Sequence, residues 1–104
     1  MNNLEAYKMD GLGNDFIIFD KRKKSIELTK DQIIKISDRN NIGCDQVIFI
    51  EKDPTNDAFL KFYNSDGNEI SACGNGSRCV AYLLMKENNS KKISLRTKVG
   101  ILQA

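Results

Sequence analysis

An unbroken apolar run from Cys79 to Met85 stands just behind Cys73-Gly74-Asn75-Gly76, and it constrains the fold more than any other feature of the chain. Ser77 to Lys86 has helical length and composition, and the run covers nearly every face of about two turns. A surface helix would carry an apolar stripe, so this pattern predicts a helix buried all round. Strand signals surround it. The expected class is α+β: a mixed or antiparallel sheet wrapped around a central buried helix. The 104 residues fit one domain, 1–104, and leave no room for two.

The strand signals are specific. Glu5 to Met9 alternates weakly, and Phe16-Ile17-Ile18-Phe19 is a short β-branched and aromatic run that reads as buried. Gly11-Leu12-Gly13-Asn14-Asp15 between them is a turn or loop. Thr29 followed by Gln32 is a capping-box pattern, and Ile33, Ile34 and Ile36 supply the apolar face of a helix reaching about Asp38. Gln46 to Glu51 and Ala58 to Tyr63 read as strands, separated by a turn at Asp53-Pro54-Thr55-Asn56. Asn64-Ser65-Asp66-Gly67 is a hairpin turn, with Glu69 to Ser71 as the returning strand. Asn88-Asn89 ends the apolar helix, and Ile93 to Leu95 and Val99 to Leu102 close the chain as a strand pair.

Composition excludes several functions. Sixteen basic against fourteen acidic residues leave a net charge of +2, which predicts no strong pull toward nucleic acid or anionic membrane. The cluster Lys21-Arg22-Lys23-Lys24 reads as a solvated loop. No apolar run approaches the ~20 residues of a membrane span, and the first residues lack a secretory pattern. There is no histidine, so a Ser-His-Asp triad, a Cys-His pair and His-ligated metal are excluded within this chain. The three cysteines form no CxxC pair, so no zinc site is expected. Free thiols in a reducing cytoplasm are expected instead.

Cys73 lies at the start of the apolar helix. First-turn amides there have no intrahelical partner, and the helix dipole adds positive charge at the same end. Both favour a thiolate, and both can grip a carboxylate or phosphate. Gly74 and Gly76 let backbone approach a ligand, and Asn75 can donate and accept. The same residues also read as a tight turn with Cys73 a small packed side chain. Cys79 reads as core and Cys44 as core or loop packing. A lone thiolate at an anion-gripping helix end suits proton transfer at a substrate carbon, provided a partner group serves the opposite face.

In order along the chain, Lys8-Met9 with Gly11 to Phe16, Ser37-Asp38-Arg39 with Ile42-Gly43 and Asp45-Gln46, Tyr63 to Gly67 with Glu69, and Ala72 to Cys79 resemble the motifs of the diaminopimelate epimerase family. The resemblance spans essentially the whole chain and is to the N-terminal half of the family enzyme. It implies epimerisation of L,L- and meso-diaminopimelate, a step of lysine and peptidoglycan biosynthesis, without pyridoxal phosphate or metal. It implies two cysteines facing each other across the substrate, one as base and one as acid, with Cys73 matching the first. By the same resemblance, Asn14, Gln46, Asn64, Gly74 and Asn75 bind the substrate.

This chain has Asp10 where the family commonly has histidine. The family enzyme is over twice this length, and its C-terminal half supplies the second cysteine. That half is therefore an expected partner, the isolated chain is expected to be inactive, and a homodimer is left open. A truncated amino-acid-binding domain and a related cofactor-independent racemase are the alternative readings.

Overall fold

The computed structural model describes residues 6–11, 13–22 and 25–103. In chain order these form β1 (Ala6–Asp10), β2 (Asp15–Asp20), α1 (Lys30–Ser37), β3 (Gln46–Glu51), β4 (Ala58–Asn64), β5 (Glu69–Ile70), α2 (Gly74–Asn88), β6 (Ser94–Thr97) and β7 (Gly100–Gln103). Expected starts or motif positions at Glu5, Leu12, Lys23 and Lys24 lie outside the described residues.

The strands build one seven-stranded sheet in the order β1-β2-β3-β4-β6-β7, with β5 also paired to β4. The sheet is mixed, as expected: β2–β3 and β4–β6 run parallel, and the other pairs are antiparallel. Alternation along the strands splits the core into two layers. Phe16, Ile18, Ile48, Ile50, Leu60 and Phe62 face α2 and meet Cys79, Val80, Ala81 and Leu84. Ile17, Phe19, Val47 and Phe49 turn the other way, toward Ile26, Cys44 and Ile33 of α1. Phe19 stacks on Phe49 with ring centroids 5.5 Å apart.

The chain thus places α2 on one face of the sheet and α1 on the other, and α2 is not buried all round as its apolar run predicts. α2 buries one stripe, Gly76, Ser77, Cys79, Val80, Ala81 and Leu84. Its opposite side is open: Tyr82 is 59% exposed although it sits inside the apolar run. The most buried elements are instead β2 and β3, each with four consecutive buried residues.

Local chemistry sets the helix ends. Thr29 Oγ1 accepts from the Gln32 amide at 3.1 Å while Gln32 Oε1 accepts from the Thr29 amide at 2.8 Å, so the capping box forms. α2 ends at Asn89, which adopts the left-handed conformation at φ 53° that asparagine tolerates. The turn after β4 uses Gly67 at φ +83°, with its amide on Asn64 O at 2.9 Å. Lys21 and Arg22 are not freely solvated: Lys21 pairs with Glu51 at 3.4 Å, and Arg22 with Asp20 at 2.7 Å and Glu87 at 3.2 Å. Neither helix is long and apolar enough to cross a membrane.

Candidate active site

α2 begins at Gly74, earlier than the apolar run alone suggests, because Cys73 caps it. Cys73 has extended backbone (φ −147°, ψ 116°), its carbonyl accepts from the Ser77 amide at 2.9 Å, and its Sγ accepts from the Gly76 amide at 3.5 Å. The sulfur therefore already uses one of the first-turn amides that have no helical partner. It also lies at the positive end of a helix of 15 residues. Cys73 is half-buried against the α2-side core. With Ala72, Gly74, Ser77 and Arg78 it lines a cavity of about 270 Å³, closed on the far side by Thr97 and Val99 to Leu102 of the β6–β7 hairpin.

The two glycines of the loop differ in what they face. A side chain at Gly74 would meet nothing nearer than Arg78 Nη1 at 3.6 Å, so this residue faces the open space of the cavity. At Gly76 a Cβ would stand 2.8 Å from Ile48 Cδ1 and 3.3 Å from Phe62 Cε1. Gly76 thus lets the helix approach the sheet rather than a ligand.

Strand register brings the polar residues to the same end of the sheet. Phe16, Gln46 and Asn64 form one row across β2, β3 and β4, adjacent to the Ile18–Ile48–Phe62 row that lies under Gly76. Gln46 and Asn64 share the α2 side because they stand two residues from Ile48 and Phe62. Gln46 Nε2 donates to Asn64 Oδ1 at 3.3 Å, and Gln46 Oε1 is a buried acceptor with no partner among the described residues. An unpaired buried carbonyl is costly, so it is suited to a ligand donor such as an ammonium group.

Asn14 reaches the first turn of α2 from the β1–β2 loop, where Asn75 Nδ2 donates to Asn14 Oδ1 at 3.0 Å. A Cβ at Gly11 would stand 3.1 Å from Phe16 Cε2 and in ordinary contact, at 3.5 Å, with Asn75 Cβ and Cys79 Sγ. Asn14 also lines a cavity of about 350 Å³ with Asp10, Gly11, Gly13, Asp15, Arg39 and Asp45.

Sequence reasoning missed the charged clamp beneath that loop. Arg39 donates to Asp15 at 2.7 and 2.9 Å and to Asp45 at 3.1 Å. The backbone amides of Asp15 and Asp45 each donate to the other's carboxylate, at 3.0 and 2.9 Å, and Lys8 adds an ion pair to Asp15 at 3.1 Å. The Arg39 hydrogen bond, supported by Lys8 and the Asp45 amide, holds the Asp15 carboxyl well below the usual carboxylate range. These residues sit inside the motif blocks, but only the tertiary contact reveals that they lock the loop carrying Asn14. The other thiols are structural. Cys79 is 8% exposed and Cys44 2%, and burial pushes both thiols up.

With this geometry the chain can be compared with known proteins. The sequence profile of one family, Diaminopimelate epimerase, matches residues 6–104. A diaminopimelate epimerase of Pelagibacter ubique is 56% identical over 102 residues, covering 98% of this chain and 37% of that relative. One from Acidiphilium cryptum is 44% identical over 98 residues, covering 93% and 35%. The chain therefore spans little more than a third of the length of these curated relatives. Among solved structures, a phenazine biosynthesis protein of the PhzF family from Enterococcus faecalis is similar at a TM-score of 0.69 and 18% identity, over 94% of this chain and 38% of that one. Methylitaconate-delta-isomerase is similar at 0.69 and 17%, over 94% and 56%. At these identities the two structures share the fold.

Proposed function

The chain belongs to the diaminopimelate epimerase family, and on that premise we propose that residues 1–104 form one catalytic unit of an epimerase that interconverts L,L- and meso-diaminopimelate in lysine biosynthesis, without pyridoxal phosphate or metal. The observation that carries this reading is Cys73 at the cap of α2, with its sulfur on the Gly76 amide at 3.5 Å.

The chemistry follows from that placement. Cys73 as thiolate removes the α-proton from one face of the substrate, and the electron pair left on carbon spreads into the neighbouring carboxylate. A thiol on the opposite face then delivers a proton, inverting the centre. Negative charge grows on the carboxylate during this step, and donors fixed beforehand at a helix N-terminus stabilise it without reorganisation. Gly74 and Asn75 supply such donors by position. Gln46, whose buried oxygen has no partner among the described residues, and Asn64 suit the substrate's ammonium group. Asn14 holds a further polar end of the ligand.

Cys79 cannot be the second acid. It lies about 9 Å further along the same helix axis than Cys73 and is buried against the sheet. In this reading the acid comes from polypeptide corresponding to the remaining length of the relatives, so residues 1–104 alone bind diaminopimelate weakly and do not invert it.

Solvent deuterium incorporation at the α-carbon tests the proposal. The expected result is inversion with deuterium uptake when the remainder of a relative's chain is supplied in trans, none by the 104-residue chain alone, and none with Cys73→Ala. Inversion that survives Cys73→Ala, or no binding of diaminopimelate by the wild-type chain, would overturn it.

A further inference from the structure

The cavity beside Cys73 has one wall on the segment that leads from β5 into α2 and the other on the end of the β6–β7 hairpin, Thr97 and Val99 to Leu102. Strand register brings these walls together. β3 occupies one edge of β4, so β5 and β6 share the other. β6 runs parallel to β4 through the pairs Ala58–Leu95 and Phe59–Arg96, and β5 follows further along through Phe62–Ile70 and Tyr63–Glu69. The β6–β7 turn therefore points toward β5. The base of the hairpin is fixed: Arg96 Nε donates to Asp53 Oδ1 at 2.6 Å, and the Ser94 amide donates to Asp57 Oδ2 at 2.8 Å. The ladder to β4 ends at Arg96, and the turn extends past it. There Lys98 Nζ pairs with Glu69 Oε2 at 2.7 Å.

We propose that Lys98 and Glu69 are positioning residues whose ion pair latches the β6–β7 turn to the strand leading into Cys73, and that its release opens the wall opposite the thiol. Neither residue lines the cavity. Glu69 stands opposite Tyr63, so its side chain shares the face of the sheet on which Tyr63 packs, the α1 side. The pair thus holds the wall from outside and leaves the cavity free for a ligand. Both side chains keep contact with water, Lys98 at 50% and Glu69 at 28% exposure. An ion pair so placed is weak and is screened by salt. Weakness suits a wall that must admit a ligand and release it. With the base pinned by Arg96 and Ser94, loss of the pair frees the turn rather than the whole hairpin. The importance of the latch for the reaction rests on the role given to Cys73 above; the latch itself does not.

The test is labelling of Cys73 in the 104-residue chain by a bulky reagent, pyrene maleimide, against a small one, iodoacetamide. Both reagents attack with the same thiolate, so the ratio of their rates at Cys73 reports access alone. Lys98→Met is expected to raise that ratio about threefold, the size an exposed ion pair supports. Exchanging the charges, Lys98→Glu with Glu69→Lys, should restore it. Cys44 and Cys79, buried in the two core layers, should keep their slow labelling in both variants. Raising salt from about 10 mM to about 1 M shortens the screening length from about 30 to about 3 Å and should raise the wild-type ratio in the same way. An unchanged ratio in Lys98→Met, an exchanged pair that stays open, or a rise shared by Cys44 and Cys79 would overturn the latch. The salt series needs no variant, so a flat series overturns it even if Lys98→Met does not fold. Diaminopimelate enters none of these measurements, so failure of the latch and failure of the proposed substrate are told apart.

Discussion

The Cα of Gly76 lies so close to Ile48 that a Cβ on it would be 2.8 Å from Ile48 Cδ1, with Phe62 Cε1 at 3.3 Å. This clearance sets how closely the first turn of α2 lies on the sheet. Gly76→Ala is therefore expected to cost about 1–3 kcal/mol, because the obstacles lie in a packed core. Gly74→Ala meets nothing nearer than 3.6 Å and is expected to leave stability within about 0.5 kcal/mol or raise it, since alanine favours the helix. Urea midpoints of the two variants should separate in that order; equal midpoints would argue against the close approach.

One-sided burial of α2 makes a second contrast. Leu84 is fully buried and Tyr82 is 59% exposed. Leu84→Ala should cost about 2–5 kcal/mol, and Tyr82→Ala about 0.5 kcal/mol or less. A large loss at Tyr82 in the same denaturation experiment would mean that its side of the helix is covered in solution.

The three thiols should react in a fixed order. Cys73 is half-buried beside a cavity, whereas Cys79 and Cys44 are 8% and 2% exposed and have their thiols pushed up by burial. Iodoacetamide near neutral pH, followed by mass spectrometry, should label Cys73 first, by at least about tenfold in rate. Equal labelling of Cys44 would contradict the packing of the α1-side core.

Acid should weaken the fold through Asp15. Its carboxyl titrates below the unfolded value because Arg39, and then Lys8 and the Asp45 amide, favour the ionised form. The sign follows directly: this stabilisation is present above the unfolded value of about 3.9 and is lost as pH falls below it toward the lower folded value. Asp53, held down by Asn56 first and also by Arg96, acts in the same direction. Urea midpoints should fall progressively below about pH 4. Asp15→Asn should lower the midpoint near neutral pH and flatten the acid limb. A wild-type midpoint that stays constant through that range would exclude the clamp as a source of stability.

Element order, the capping box of Thr29 and Gln32, the Asn89 stop and the helix-end setting of Cys73 were all legible in the sequence. Capping, turn chemistry and alternation act within a few residues, so the information is local. The motif blocks also pointed to Asn14, Gln46, Asn64, Gly74 and Asn75, without saying which touch. Contacts between Asn75 and Asn14 and between Gln46 and Asn64 join residues far apart in the chain, and only strand register and the seating of Gly76 on Ile48 bring them together. The Arg39–Asp15–Asp45 clamp is non-local in the same way. The apolar run misled about α2 because composition records which residues tolerate burial, whereas coverage depends on where the sheet lies. α2 buries one stripe of its surface, and Tyr82, away from that stripe, is left in water.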